Sequence, residues 1–226
     1  MILIITSRDD ATADFVTARL RRSEYVRLDS EDLPSGVKVE CSEKFAAIVI
    51  GRKKWAPMDF SGIWYRRPKA ITFSGAADKA EAQHAAAEYT AALEGFLALV
   101  PSEKWINLPS RNVLAGHKPE QIRRAKNLGF LLPRTLITQD GSRLRKFWKE
   151  CRGNVIVKPL SSGYIERETP SEDSLIYTNQ LKEEDLECDE EIARCPTLFQ
   201  ERISKTADIR ITVVDNEIEA VELMAN

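Results

Sequence analysis

The chain has 226 residues, of which 43% are hydrophobic and 30% are charged, and its formal net charge is −2. This composition excludes a disordered chain, and the small, mixed charge argues against nucleic acid as a partner. The N-terminus MILIITSRDD has no basic segment before its apolar run, which predicts a strand rather than a signal peptide. The longest apolar segment, residues 85–100, is interrupted by Glu88 and Glu94, so no membrane span is predicted.

Four cysteines are scattered along the chain without a C-x-x-C pair: Cys41, Cys151, Cys188 and Cys195. Because the only histidines are His84 and His117, a structural zinc site is not expected. Cysteines without a disulfide framework indicate free thiols and a cytoplasmic protein.

The first third of the chain predicts alternating strands and helices. Apolar or β-branched runs predict strands at residues 1–6, 25–29, 37–41 and 45–50. A capping loop at residues 7–10 leads into a short helix, on which Phe15, Val16 and Leu20 have amphipathic spacing. Residues 32–36 have the composition of a turn. This β-α-β order predicts an α/β layer.

Residues 62–68, GIWYRRP, predict a strand of large aromatics that ends in Arg66 and Arg67. If the strand continues, the two arginines point to opposite faces, so one can grip an anion or a carboxylate while the other is solvated. The alternative is a pair of surface arginines beside core aromatics.

Residues 76–100 predict a long helix, because they are rich in alanine, lack proline and carry Leu93, Phe96, Leu97 and Val100 at helical spacing. An extended piece at residues 105–109 follows. The pattern of elements then restarts, which predicts a domain boundary near residues 109 and 110.

The second half predicts a mixed set of helices and strands. Helices are predicted at residues 117–128 and 141–151, and strands at 131–138, 155–158, 175–178, 197–203, 208–214 and 217–224. Residues 182–191 are acidic and predict a solvated face. Asp215 and Asn216 predict a two-residue hairpin turn. In the strand before it, Asp208 and Arg210 share one side while Ile209 is expected to face the core.

The stretch NVIVKPLSSG, residues 154–163, predicts a phosphate site. A buried strand ends in Lys158, and the small residues after Pro159 have backbone N–H groups that can approach an anion. The alternative is a surface lysine at the end of a core strand. Lys118 lies in the first turn of a predicted helix, where its positive charge interacts unfavourably with the helix dipole. We therefore expect it to pair with an anion.

In order, these stretches resemble the ATP-grasp ligases, and most closely the branch that macrocyclises microviridin-type (graspetide) precursor peptides. That branch is similar to the glutamate ligases that modify a ribosomal protein. The resemblance is carried by RLDSEDLP, WYRRP, LGFLLPRTLIT, VIVKPLSSG, LIYTNQL and FQERISKTADIRITVV. It implies an N-terminal α/β pre-ATP-grasp domain at residues 1–109, followed by an incomplete ATP-grasp α+β domain at residues 110–226.

The resemblance also implies site residues. The two lysines that hold the nucleotide phosphates correspond to Lys118 and Lys158. The small-residue loop that covers the phosphates corresponds to Ser161, Ser162 and Gly163. The hinge strand whose backbone pairs with the adenine corresponds to Gln200, Glu201 and Ile203. Asp208 corresponds to the acidic residue near the ribose, and Arg210 to the arginine that stabilises charge at the transferred phosphoryl group.

The implied reaction uses ATP and Mg²⁺ to activate Asp or Glu side chains of a ribosomal precursor peptide as acyl phosphates, which then form ester or amide macrocycles. The implied partner is that peptide, with a leader helix and an acidic core, and homodimers occur among relatives. The family's magnesium-binding carboxylates are expected beyond Asn226, so no metal ligand is assigned. The resemblance therefore predicts that the chain is a fragment of a longer enzyme. Two alternatives stay open, a non-catalytic module that binds a peptide or partner protein, and an ATP-grasp ligase for another amino acid or protein.

Overall fold

The computed structural model describes residues 1–73, 78–161, 163–165, 167 and 173–224. The backbone divides into two compact units, an N-terminal unit (Met1–Gly116) and a C-terminal unit (His117–Asn226). In the described part of the chain, no helix has both the length and the apolar character needed to cross a bilayer.

The N-terminal unit combines two sheets with four helices among its described residues. Its strands are β1 (Ile2–Thr6), β2 (Tyr25–Asp29), β3 (Val37–Cys41), β4 (Ala46–Ile50), β5 (Lys53–Trp55), β6 (Gly62–Tyr65) and β7 (Trp105–Ile106). Its helices are α1 (Ala11–Thr17), α2 (Leu33–Gly36), α3 (Lys79–Ala98) and α4 (Pro109–Gly116). A parallel sheet has the order β2-β1-β6-β7, and β3-β4-β5 form an antiparallel sheet.

The core of this unit lies around β1, the apolar run at the N-terminus. Leu3 and Ile5 are almost fully buried, and Leu93 and Phe96 of α3 belong to the same cluster. A strand of continuous apolar residues suits a parallel sheet covered on both faces. The predicted long helix is confirmed as α3, capped by Asp78, whereas residues 76 and 77 lie outside the described residues.

Two expectations in this unit were wrong, and one helix was missed. Phe15 is 60% exposed, with the Arg19 guanidinium 3.4 Å from its ring centroid, because the helix that starts at the Asp10 cap turns Ala13 and Thr17 inward instead. The predicted turn at residues 32–36 is largely the short helix α2. The helix α4, which starts at a proline, was not predicted.

The C-terminal unit is built on an antiparallel sheet. Its strands are β8 (Thr135–Thr138), β9 (Val155–Lys158), β10 (Tyr164–Ile165), β11 (Ser174–Leu175), β12 (Asn179–Gln180), β13 (Thr197–Glu201), β14 (Ala207–Val214) and β15 (Glu217–Met224). Its helices are α5 (Lys118–Asn127), α6 (Gly141–Glu150) and α7 (Asp189–Ala193). The main sheet has the order β12-β9-β13-β8, and β10–β11 and β14–β15 are two-stranded ribbons.

One face of the main sheet packs on α6. Val155 and Phe199 from the sheet and Leu144 and Phe147 from α6 form one buried cluster. Since side chains alternate along a strand, the residues between them project from the other face. That other face carries the candidate site.

Several predicted strands are shorter in the structure. β8 begins at Thr135 because Pro133 lacks the N–H that a ladder needs, and Leu131 is 100% exposed. Residues 176–178 are not in a strand, and β13 ends at Glu201.

The hairpin is confirmed, with Val214 paired to Glu217 across a two-residue turn. The expectation that Ile209 faces a core was wrong. Ile209 is 61% exposed because, among the described residues, β14 pairs only with β15 and no further layer covers its side.

Candidate functional site

Lys158 is the last residue of β9 and projects from the sheet face opposite α6. Its position follows from strand alternation, because Val155 and Val157 pack into the core while Ile156 and Lys158 point the other way. The side chain is partly buried, and its Nζ donates a hydrogen bond to Oε1 of Gln200 at 2.9 Å. The lysine is therefore anchored at a strand end and not within the hydrophobic core.

Gln200 links Lys158 to the neighbouring strand β8. On β13, Leu198 lies directly opposite Lys158, and Gln200 is the diagonal neighbour on the same face. Its Nε2 donates to Oγ1 of Thr135 at 2.9 Å, and that hydroxyl donates to the backbone oxygen of Pro133 at 3.0 Å. The side chain of Gln200 is thus committed to Lys158 and Thr135.

The charge around Lys158 is mostly positive. Burial lowers the pKa of Lys158, and the nearby ammonium groups of Lys205 and Lys118 lower it further, while Asp208 acts in the opposite direction. Lys205 and Asp208 form an ion pair. Three lysines with one carboxylate repel one another when no anion is bound, and an anion with several charges relieves that repulsion.

Lys205 was missed from the sequence. It lies in the loop between β13 and β14, outside the strand and the small-residue turn that drew attention to Lys158. The available signal was its spacing, three residues before Asp208, which lets one turn of loop bring the two charges together. Lys118, by contrast, was placed correctly at the first position of α5, after the cap residue His117.

The small-residue loop after Pro159 depends on Gly163. The oxygen of Gly163 accepts a hydrogen bond from the backbone N–H of Ile176 at 2.6 Å. A Cβ on Gly163 would lie 2.4 Å from the oxygen of Ile176, so another residue would have to displace that backbone. Ser161 is exposed, and Ser162 lies outside the described residues.

The remaining predicted residues lie apart from Lys158 in the described contacts. Glu201 projects from the α6 face of the sheet, where its Oε2 accepts from the backbone N–H of Arg134 at 3.2 Å. Ile203 is 55% exposed and follows the end of β13. Arg210 shares the polar face of β14 with Asp208 and is exposed.

The described residues suit a polyphosphate better than a metal ion. Three ammonium groups match the charge of a nucleotide's phosphates. Nowhere in the described ranges do three His, Cys, Asp or Glu side chains converge as ligands for a metal ion. These residues therefore do not form a magnesium site by themselves.

A second polar cluster lies in the N-terminal unit, at the carboxyl edge of the parallel sheet. Asp10 is buried and accepts from Oγ1 of Thr6 at 2.6 Å and from Nε of Arg66 at 2.9 Å. Arg67 is exposed. This is the arrangement expected for two successive arginines at a strand end, one gripping a carboxylate and one in solvent.

The comparisons with known proteins agree with this fold. Residues 1–112 match the family model of the MvdD pre-ATP grasp domain. The macrocyclase MdnC from Microcystis aeruginosa MRC, solved with its precursor peptide MdnA, has 25% identity and a TM-score of 0.87 over 99% of this chain and 75% of that one. A search of curated proteins gave no match.

Two further solved structures are similar over the same extent. A RiPP-associated ATP-grasp ligase from Chryseobacterium gregarium, in complex with ADP and a leader and core peptide, has 27% identity and a TM-score of 0.84 over 99% of this chain and 68% of that one. The macrocyclase MdnB from Microcystis aeruginosa MRC has 25% identity and a TM-score of 0.78 over 100% of this chain and 75% of that one. The α/β fold class is thereby confirmed. Residues 1–112 match an MvdD-type pre-ATP-grasp domain, and the chain belongs to the ATP-grasp ligases of the graspetide-maturase type.

Proposed function

We propose that this chain binds ATP on the face of the C-terminal unit's main sheet opposite α6 and uses it in the maturation of a ribosomally made precursor peptide. The observation that carries the proposal is the position of Lys158 at the end of β9, where its Nζ donates to Gln200 at 2.9 Å and where the positive charges of Lys205 and Lys118 act on it. An arrangement that is repulsive when empty is favourable once a polyphosphate is bound, because each ammonium then gains a charge-assisted hydrogen bond.

The phosphate groups are held by Lys118 and Lys158, to which we add Lys205. The loop of Ser161, Ser162 and Gly163 covers them with backbone N–H groups. Glycine is needed at position 163 because a Cβ there would lie 2.4 Å from the Ile176 oxygen, so the path of the backbone through this loop depends on it.

The nucleoside lies along the end of β13. The backbone of Gln200, Glu201 and Ile203 pairs with the adenine edge, and Asp208 lies near the ribose hydroxyls. Arg210, on the same side of β14 as Asp208, stabilises negative charge that develops at the transferred phosphoryl group. The alternation of β14 supports this pairing of roles, since both side chains point to one face.

The chemistry is the activation of a carboxylate. ATP supplies the phosphoryl group that turns a poor electrophile into one with a good leaving group. An Asp or Glu carboxylate of the peptide attacks the γ-phosphorus of ATP and becomes an acyl phosphate with release of ADP. A hydroxyl or an amine then attacks the acyl carbon to give an ester or an amide, with release of inorganic phosphate. The chain's own residues bind, orient and offset charge, which is the larger part of catalysis in phosphoryl transfer.

The partner is a precursor peptide with a leader helix and an acidic core. MdnC was solved with its precursor peptide MdnA, and the Chryseobacterium gregarium ligase with a leader and core peptide, which supports a peptide as the partner. We assign residues 1–109 to the pre-ATP-grasp domain and residues 110–226 to the ATP-grasp domain, with magnesium completing the site and a homodimer as the assembly.

The test is calorimetry with ATP on the 226-residue chain, beside Lys158→Ala and the control Lys146→Ala. Lys146 is an exposed lysine on α6, which covers the other face of the sheet. Loss of a charged hydrogen-bond partner should weaken binding by roughly tenfold or more in Lys158→Ala and leave Lys146→Ala unchanged. Absence of ATP binding by the wild-type chain, or equal weakening in both variants, would contradict the proposal.

A further inference from the structure

The hydrogen-bond chain behind Lys158 has a fixed direction. The hydroxyl of Thr135 has one proton, and it is donated to the oxygen of Pro133 at 3.0 Å, an atom that can only accept. Oγ1 of Thr135 is therefore the acceptor for Nε2 of Gln200 at 2.9 Å. This leaves Oε1 of the amide facing the ammonium of Lys158, also at 2.9 Å.

We propose that Thr135 and Gln200 form a positioning relay, which aims the ammonium of Lys158 at a nucleotide phosphate without neutralising its charge. The inference rests on the proposed function for its ligand. Neither residue needs to touch the nucleotide with its side chain, because both act through Lys158.

This role depends on the side-chain amide of Gln200 being uncharged. An ammonium has three protons, so a single bond to Gln200 fixes its direction and leaves two protons for phosphate oxygens. A carboxylate at position 200 would also accept a hydrogen bond from the Lys158 ammonium, but it would offset the positive charge of that group. Among the described residues, the carboxylate that acts on Lys158 is Asp208, which is already paired with Lys205, so the cluster keeps its positive charge.

The relay also opposes the tendency of this lysine to lose its proton. Burial and the ammonium groups of Lys205 and Lys118 all lower the pKa of Lys158, and Asp208 raises it. An acceptor directed at the ammonium stabilises the charged form. Removing the acceptor should therefore increase the fraction of neutral amine, and replacing it with a carboxylate should decrease that fraction.

The first test measures the amine itself and needs no nucleotide. Trace acetylation with acetic anhydride at one pH below the pKa of lysine, followed by mass spectrometry of the Lys158 peptide, reports the neutral fraction. We expect the labelling rate to rise severalfold in Gln200→Met, to fall severalfold in Gln200→Glu, and to rise by a smaller factor in Thr135→Val. A role in holding the sheet together would not produce this order.

The chain supplies a matched control in Thr197. Like Thr135, it donates its hydroxyl to a backbone oxygen two residues earlier, that of Cys195 at 3.2 Å, but on β13 and without contact to Gln200. Thr197→Val should leave the labelling of Lys158 at the wild-type rate. Equal rates in all variants, or the same rise in Thr197→Val as in Thr135→Val, would overturn the relay.

The second test is ATP affinity by calorimetry, with the melting temperature of each variant measured in parallel. Gln200→Glu and Gln200→Met should each bind ATP roughly tenfold more weakly, with unchanged melting temperatures. In Gln200→Glu the carboxylate offsets the charge of Lys158, and in Gln200→Met no acceptor orients the ammonium towards the phosphate. Wild-type affinity in Gln200→Glu would overturn the proposal. Failure of the wild-type chain to bind ATP would instead contradict the proposed function, and the labelling order would still decide whether the relay exists.

Discussion

Replacement of Asp10 by alanine should strongly destabilise the N-terminal unit. Its side chain is only 5% exposed and caps α1 by accepting from the backbone N–H groups of Thr12 and Ala13 at 3.1 and 3.2 Å. Loss of such a cap costs about 1 kcal/mol. Loss of one partner of a buried ion pair costs about 3–5 kcal/mol. We expect a smaller cost here, because the Arg66 side chain is 24% exposed and keeps its hydrogen bond to Thr12. The expected total is about 3 kcal/mol.

The measurement has to report on the N-terminal unit alone, because a chain of two units need not unfold in one transition. Native-state hydrogen exchange of the β1 amides meets this need. The control is Asp9→Ala, whose carboxylate is 78% exposed in its pair with Lys69 and should cost less than about 0.5 kcal/mol. A loss below about 1 kcal/mol in Asp10→Ala, or one no larger than in Asp9→Ala, would refute the reasoning.

The contribution of Asp10 should also depend on pH. Burial raises the pKa of Asp10, but hydrogen bonds from Thr6 and the Ala13 backbone, together with Arg66, outweigh it and bring the pKa below the ordinary 3.8. The folded state thus binds this proton more weakly than the unfolded state. The stabilisation is complete above the unfolded pKa and is lost as the pH falls through the folded pKa. The wild type and Asp10→Asn should therefore converge in stability in acid, and a constant difference would contradict this assignment.

Three further substitutions test other parts of the fold. Gly163→Ala should weaken ATP binding in calorimetry, because its Cβ would displace the Ile176 oxygen 2.4 Å away and with it the backbone of this loop; unchanged affinity would show that the loop does not contact the phosphates. Tyr89→Phe removes a hydroxyl that contacts two backbone oxygens at 2.7 and 2.9 Å and should cost about 1 kcal/mol in hydrogen exchange of β3. Leu144→Ala empties a fully buried position under β9 and should cost about 3 kcal/mol in exchange of the β9 amides, whereas a cost under 1 kcal/mol would mean that the core closes over the cavity.

The elements with strong local signals were predicted well. β1 and β9 are short runs of β-branched or apolar residues, and the final hairpin has a two-residue Asp-Asn turn between alternating strands. Lys118 and Lys158 were predicted as phosphate-binding residues because each lies at the end of an element, where a local rule makes a cation conspicuous.

The errors concern properties that depend on a partner layer or on register. Phe15, Leu131 and Ile209 are apolar residues that local pattern assigned to helix or strand, yet each is at least 60% exposed. Burial depends on what packs against an element, which periodicity does not reveal. The bond between Lys158 and Gln200 requires the register of β9 against β13, and no local pattern specifies that register.

The β14–β15 ribbon has a consequence for solubility. Asp208 and Arg210 share one side with the exposed Val214, Val221 and Leu223. Ile209, Ile211 and Ile218 lie on the other side, where each isoleucine is at least 61% exposed. Within the described residues both outer edges of the ribbon are unpaired, and an apolar ribbon with open edges is a template for aggregation. Glu222, directly opposite Ile209, is the acidic group on that apolar face, and we expect its charge to oppose stacking between molecules.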